Sequence, residues 1–336
     1  MKINYLDKFK GALIGVAIGD TLGKPFDGQT RTEIHSKFED FETYVLKYRR
    51  KYFKGYTDNT QLMLHIAEAL IQGNGFNMNY LLRELIKWLD DPPEGEAFSC
   101  ISSIRKLQRN ISWKKVSTNS GGSGTLARTT PFALLYNKDV DTLSDLAELS
   151  SSITHSHPAA TGSSVLFARA LAYLIEQSPE QGFLLDDFFE QLVIAISDSQ
   201  KEKWNELISY LEELSKYFDL SIEAGLIKFS QIGVSSTYYI QEYLGHAFIH
   251  PYAISTIICV LFIFIKRSDS FEKFIFTIST AGGGATAAAV GGALAGAFHG
   301  YSNIPEKLVK LVKNKNYILN VAERLYDVYK KRKNFK

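Results

Sequence analysis

Apolar residues recur at the spacing of an α-helix along most of the chain. Between residues 6 and 18, for example, Phe9, Leu13, Val16 and Ala17 fall on one helical face. No alternating run of apolar and polar residues is long enough to predict a strand, and the sequence has no internal repeat. The pattern therefore predicts an all-α protein, with further helices near residues 58–70, 81–89, 98–107, 143–152, 162–175, 184–228, 253–265, 271–278 and 304–329.

Glycine and proline mark the predicted breaks between these helices. The first helix is expected to span residues 6–18, and residues 19–25 are expected to break it, because glycines and a proline occur there together. Residues 31–54 are polar and aromatic without a clean period, so we expect a loop with a short helix there. Gly11, Gly15 and Gly19 recur at every fourth position and would let the first helix approach a neighbour closely.

Residues 280–297 form a run without charge and almost without side chains. Three consecutive glycines, Gly282, Gly283 and Gly284, lead into an alanine-rich segment of high helix propensity. A helix that starts in such a bare loop presents free N–H donors and the positive end of its dipole, which can hold a phosphate or a carboxylate. The alternative is that the small residues only let this helix pack closely against its neighbours.

Length and charge narrow the class of protein. The chain has 336 residues, and we expect one domain over residues 1–336. Its 38 Lys and Arg residues nearly balance 36 Asp and Glu residues, and the net charge of +2 favours neither nucleic acid nor an anionic membrane as a partner. The basic cluster at residues 330–333, with Lys336, is interpreted as a solvated helix end. The apolar run at residues 253–265 is too short to span a bilayer.

The cysteines and the first residues indicate the compartment. Cys100 and Cys259 lie far apart and have no CxxC or CxxH spacing, so neither a disulfide framework nor a zinc site is indicated. Charged residues within positions 1–8 interrupt any signal-peptide core. We therefore expect a reducing, cytoplasmic setting.

Polar segments stand before or at several predicted helix starts. Residues 57–60 place four polar side chains in a row at one helix start, which is more than helix capping requires. Residues 117–124 form a glycine- and serine-rich loop that leads into residues 125–131. His155 and His157 have no carboxylate or cysteine beside them, which favours hydrogen-bonded histidines at a capped helix start over a metal site.

Together with the glycine run, these segments resemble the ADP-ribosylglycohydrolase family, in the order in which the family carries them. The matching pieces are residues 11–23, 56–62, 124–131, 154–159 and 282–300. The resemblance implies a compact orthogonal bundle of many helices that cleaves the N- or O-glycosidic link between ADP-ribose and a protein side chain or small group. It also implies two Mg²⁺ ions, held by a Thr-Asp-Asp run at one helix start and an Asp-x-Asp-Thr run at another.

The sequence departs from the metal-binding pattern that this resemblance implies. In the first run Thr57 and Asp58 match, but Asn59 replaces the second aspartate. In the second run Gly283 and Ala285 stand at the two aspartate positions, and only Thr286 is retained. Four carboxylates would roughly balance two divalent ions, whereas Asp58 alone remains. We therefore expect at most one weakly held Mg²⁺, through Thr57, Asp58, the carbonyl oxygen of Asn59, and Thr286.

The resemblance also supplies candidate ligand-binding and catalytic residues. It places the pyrophosphate and distal ribose of the ligand at residues 121–125, with Ser123 where an asparagine is usual. Asp27 occupies about the place of a glutamate found in some members; it and Asp58 are candidate catalytic groups, although Asp27 could also cap the following segment. The candidate ligand-binding residues are Ser123, Gly124, Thr125, Arg128, His155, Gly282, Gly283 and Gly284.

Three functions are compatible with these observations. We favour a member that binds ADP-ribose, an ADP-ribosylated protein or a protein partner without normal metal-dependent hydrolysis. The alternative is an active hydrolase that uses Asp27 or Asp58 as general base with one metal or none. The third is a structural protein in which the retained polar residues are local caps.

Overall fold

The protein folds into helices joined by short loops. The computed structural model describes residues 3–38, 40, 45, 55–95, 97–197, 202–233 and 245–334, and these residues form sixteen α-helices, short 3₁₀ turns and no sheet. The all-α prediction is therefore confirmed. The helices are α1 Tyr5–Gly23, α2 Arg31–Lys37, α3 Asp58–Gln72, α4 Met78–Lys87, α5 Phe98–Gln108, α6 Thr130–Tyr136, α7 Val140–Ser152, α8 Pro158–Ile175, α9 Leu185–Ser197, α10 Asn205–Ser215, α11 Ile222–Phe229, α12 Ala253–Arg267, α13 Phe271–Ser279, α14 Gly284–His299, α15 Glu306–Val309 and α16 Lys315–Asn334.

Helices α1 and α14 form the centre of the bundle and touch through their backbones. A Cβ atom added at Gly15 would overlap the carbonyl oxygen of Gly292, and one added at Gly19 would overlap that of Ala288. The contact is reciprocal, because a Cβ at Gly292 would overlap the carbonyl oxygen of Gly15. Both helices are almost entirely buried. The close packing predicted for the glycines of α1 and for the glycine run is therefore confirmed.

The expectation that α1 ends at residue 18 and is broken from Gly19 onwards is wrong. The helix continues through Gly19 to Gly23, and a short 3₁₀ turn, Lys24–Phe26, follows it. Gly23 lies one turn beyond Gly19 on the same face, where a Cβ would overlap the carbonyl oxygen of Gly284. Packing against α14 thus offsets the cost of about 1 kcal/mol that glycine brings to a helix interior.

Asp20, on the buried side of α1, fixes the start of α3. Its carboxylate accepts hydrogen bonds from the backbone N–H and hydroxyl of Thr57, at 2.9 and 2.7 Å. It also accepts from the N–H and hydroxyl of Thr60, at 3.0 and 2.6 Å. Complete burial raises the pKa of this carboxyl, and the four hydrogen bonds oppose that rise. The first turn of α3 is therefore held against α1 by one carboxylate.

The start of α8 differs from the sequence prediction by four residues. Helix α8 begins at Pro158, before the predicted start at residue 162, because His157 caps it by accepting a 3.1 Å hydrogen bond from the N–H of Ala159. The short helix predicted within residues 31–54 is α2, while residues 39, 41–44 and 46–54 lie outside the described part. The basic cluster belongs to α16, and Lys336 is also outside it.

One described helix, Pro158–Ile175, is long and apolar enough to cross a membrane by length and composition. Of its residues, 83% are buried inside the bundle. The organisation of the chain as one domain over residues 1–336 stays a prediction.

Candidate ligand-binding site

The starts of α3, α5 and α14 and the loops before them surround a cavity of about 750 Å³. This volume lies in the range of small-molecule sites. Most of the residues singled out from the sequence line it, although they come from distant parts of the chain. They are Asp27, Thr57, Asp58, Asn59, Ser123, Gly124, His155, Gly282, Gly283, Gly284, Ala285 and Thr286.

The side-chain amide of Asn59 joins the starts of α3 and α14. Its Nδ2 donates to the hydroxyl oxygen of Thr57 at 3.0 Å and to that of Thr286 at 3.2 Å. The Thr57 hydroxyl itself donates to Asp20. An N–H donor therefore stands between two hydroxyl oxygens that the resemblance assigns to a metal. A cation at this position would need an oxygen in its place.

The start of α14 carries no acidic side chain of its own. Its first N–H groups are capped from another segment, because Asp27 Oδ1 accepts a 2.7 Å hydrogen bond from the N–H of Ala285. Gly284 has a φ of +55°, and a Cβ there would overlap the Asp27 carboxylate. The anion that a bare helix start attracts is thus supplied, at least in part, by the protein itself.

Asp58 is an acidic side chain of the cavity whose ionisation is altered. Burial raises its pKa to about 7, and the nearby carboxylates of Asp20 and Asp27 contribute in the same direction. Its carboxylate lies beside Gly95, whose φ is +129° and where a Cβ would be 2.7 Å from Asp58 Oδ1. Asp58 can therefore exchange a proton near neutral pH, which suits a general acid or base.

The raised pKa of Asp58 predicts a pH-dependent effect of Asp58→Asn. Folding favours the protonated carboxyl, so the stability that this group contributes is present up to its unfolded pKa of about 3.8 and is lost as pH rises through its folded pKa of about 7. Replacement by the neutral amide should therefore leave stability nearly unchanged at pH 4. At pH 8 it should raise the free energy of unfolding by roughly 1–2 kcal/mol. Urea unfolding at the two pH values measures this difference, and an equal effect at both would contradict it.

Arg128 and Thr125, proposed from the sequence to contact a ligand, do not line the cavity. Arg128 is 1% exposed and lies behind the wall, where its Nη2 donates to the carbonyl oxygen of Ser150 at 2.6 Å and to the Thr154 hydroxyl at 2.8 Å. Thr125 is fully buried, and its hydroxyl accepts from that of Ser164 at 2.8 Å. Both support the loop that carries Ser123 and Gly124 rather than reaching the space a ligand could fill.

His155 lies in the cavity wall and is hydrogen-bonded, as the sequence suggested for both histidines. Its Nδ1 is 2.8 Å from the Thr154 hydroxyl. Burial and the nearby Arg128 charge lower its pKa to about 3, so the ring is neutral. The described residues include no group of three or more His, Cys, Asp or Glu side chains arranged to hold a metal ion.

Several lining residues had no signal in the sequence. Phe98 is 73% exposed at the first turn of α5, and Phe248 and Ile249 lie opposite in a loop. Cys100 is 2% exposed and accepts a hydrogen bond from Arg128 Nη1 at 3.5 Å. Single apolar residues of this kind have no motif, so only the folded chain brings them to the site.

Comparison with known proteins identifies a family, several relatives and a solved structure that are similar to this chain. The family described as ADP-ribosylglycohydrolase matches residues 1–334. ADP-ribosylhydrolase ARH3 of Danio rerio is 23% identical over 347 residues, covering 97% of this chain and 92% of the relative. ADP-ribosylarginine hydrolase Tri1 of Serratia proteamaculans is 23% identical over 336 residues, covering 96% and 79%. A solved structure of an ADP-ribosylglycohydrolase-related protein complex has the same fold, with a TM-score of 0.71, 21% identity and coverage of 97% of this chain and 99% of that chain.

Proposed function

Since the chain belongs to the ADP-ribosylglycohydrolase family, we propose that its cavity binds ADP-ribose or the ADP-ribosyl group of a modified protein without two-metal hydrolysis. One observation supports the part of this proposal that excludes two-metal hydrolysis. The Asn59 amide donates to both Thr57 and Thr286, where a metal ion would need oxygen ligands.

The charges around this position also argue against two divalent ions. Two such ions bring a charge of about +4, which carboxylates normally balance. Asp58 lies at the cavity with a pKa of about 7, while Gly283 and Ala285 offer no side-chain oxygen. Asp20 is already saturated by four hydrogen bonds from Thr57 and Thr60. The donor set therefore does not fit a dinuclear site, and no catalytic step is assigned to a metal.

The rest of the cavity suits an anionic nucleotide. Behind the loop of Ser123 and Gly124 lies the buried guanidinium of Arg128, a positive charge that no carboxylate pairs within the described residues. Asp58 and Asp27 line the cavity at the starts of α3 and α14. A diphosphate facing the Arg128 side, with uncharged ribose hydroxyls facing the two acids, matches this distribution of charge.

Calorimetry with ADP-ribose tests the proposal. We expect binding with a Kd that is unchanged when millimolar Mg²⁺ replaces EDTA, because no metal bridges protein and ligand. Asn59→Ala serves as the matched variant, since it removes the amide between the threonines without adding charge and should leave the affinity independent of Mg²⁺. Binding that requires Mg²⁺, or no binding in either buffer, would refute the proposal.

The second candidate is hydrolysis assisted by a carboxylate alone. The pKa of Asp58, about 7, favours it, because a group that titrates there can act as general acid or base at neutral pH. Release of ADP-ribose from a modified arginine or serine peptide would then fall sharply in Asp58→Asn. Asp27→Asn is the companion variant, since an amide oxygen can still cap α14. A cytoplasmic location and a protein partner stay predictions.

A further inference from the structure

A short hydrogen-bond network connects the buried charge of Arg128 with the cavity. Arg128 Nη2 donates to the Thr154 hydroxyl oxygen at 2.8 Å, and that oxygen lies 2.8 Å from His155 Nδ1. All three side chains are at least nine-tenths buried, with exposed fractions of 1%, 0% and 4% for Arg128, Thr154 and His155. The other ring nitrogen, Nε2, faces the loop that lines the cavity, 3.6 Å from where a Cβ of Gly122 would stand.

We propose that Arg128 and Thr154 are positioning residues that hold His155 as the neutral tautomer with its proton on Nε2, so that the cavity wall presents a hydrogen-bond donor at this point. A guanidinium has only donors, so it occupies a lone pair of the Thr154 oxygen and leaves the hydroxyl proton free to point elsewhere. His155 Nδ1 is the strongest acceptor that this proton reaches.

Cys100 is the competing acceptor, because its sulfur also lies within reach of the Thr154 hydroxyl. A thiol sulfur accepts weakly, whereas an unprotonated imidazole nitrogen accepts strongly. The charge of Arg128 acts in the same direction, because a lone pair on Nδ1 faces the guanidinium side and a proton there would be repelled. Both effects place the proton on Nε2.

The backbone around His155 keeps the ring in this position. The N–H of His155 donates to Ser151 at 2.9 Å, and the carbonyl oxygen of Thr154 accepts from the N–H of Thr118 at 3.1 Å. Among the described residues Nε2 has no hydrogen-bond partner, so its proton is available to a ligand. An oxygen acceptor fits there, and a ligand group that can only donate does not.

For the ligand, this inference rests on the proposed function: the acceptor is a phosphate oxygen of ADP-ribose. The tautomer itself does not depend on any ligand. The two parts can therefore fail separately.

Long-range ¹H–¹⁵N correlation spectra of the uniformly labelled protein at pH 7 test the tautomer directly. His155 is assigned among the seven histidines by the signals missing from His155→Gln. We expect Nδ1 to give a signal of the unprotonated type and Nε2 one of the protonated type. A proton on Nδ1 in the wild type would overturn the proposal.

Three variants test whether the Thr154 hydroxyl sets the tautomer of His155. Thr154→Ser keeps the hydroxyl, and Cys100→Ala removes the competing acceptor; both should keep the wild-type tautomer. Thr154→Val removes the hydroxyl at constant shape and should give a mixture of tautomers. If Thr154→Val does not fold, the wild-type Thr154 hydroxyl proton provides the second measurement: slow exchange with water and a cross-peak to the His155 ring are expected, and their absence contradicts the network.

ADP-ribose affinity completes the experiment. Thr154→Val should bind about tenfold more weakly than wild type and Thr154→Ser within about twofold, as for loss or retention of one oriented hydrogen bond to an anion. If the wild type binds no ADP-ribose but carries the proton on Nε2, the proposed function fails and the positioning roles stand. If it binds ADP-ribose with the proton on Nδ1, the positioning roles fail alone.

Discussion

Gly15→Val should lower the free energy of unfolding by about 3 kcal/mol or more, a large loss for a single substitution. The added side chain would overlap the carbonyl oxygen of Gly292, which belongs to the backbone of α14 and cannot move by a change of rotamer. The helices would have to separate, and the buried residues along both would lose contacts. Urea unfolding followed by circular dichroism measures the loss.

Gly182→Ala is the matched control for Gly15→Val. Gly182 has a φ of +68°, but nothing lies within 4 Å of a Cβ there, so only the backbone conformation is strained. The expected cost is about 1–2 kcal/mol. Losses of equal size in the two variants would show that the close approach of α1 and α14 contributes little to stability.

Asn59→Asp combined with Ala285→Asp should create a weak Mg²⁺ site, which on our proposal the wild type lacks. The two new carboxylates would lie beside Asp58 and Asp27 in the cavity. Without a divalent cation their repulsion should destabilise the protein by roughly 1–3 kcal/mol, and millimolar Mg²⁺ should recover much of the loss. Thermal unfolding across a Mg²⁺ titration, with NaCl at equal ionic strength, separates specific binding from screening.

Asn59→Asp alone is the control, since it adds one carboxylate and should respond less to Mg²⁺. The wild type should show no Mg²⁺-specific stabilisation, and a response like that of the double variant would contradict the proposal that its cavity works without bound metal. Gly283→Asp is the less suitable replacement, because a Cβ there would lie 2.5 Å from that of Ala287 and 3.0 Å from that of Ile249.

The periodicity of the sequence predicted most helices, because most bury one apolar stripe, whereas α1 and α14 are buried on almost all sides. It failed at residues 19–23, where local rules treat glycine as a helix breaker. The helix persists there because α14 lies against it, and a contact between positions almost 270 residues apart leaves no local signal. Long-range packing overrode local propensity at this point.

The candidate site could be predicted as far as its side chains belong to motifs. Thr57, Asp58, Asn59 and Thr286 meet in one cavity as the family resemblance implied. Asp20 lies within residues 11–23, one of the segments that resemble the family. Its role in holding α3 depends on two hydroxyl groups whose direction only the fold sets. Arg128 is the opposite case, since a charged residue beside a binding loop suggests ligand contact, whereas here it is buried behind the loop.

The backbone contact between α1 and α14 stabilises the fold, while the residues at the start of α14 line the cavity. The glycines of that contact fix the position of the first turn of α14, whatever side chains stand at positions 283 and 285. Acidic side chains can thus be absent from positions 283 and 285 while the contact between α1 and α14 stays intact. Substitutions at positions 283 and 285 can therefore change the chemistry of the cavity without disturbing the main contact between the two central helices.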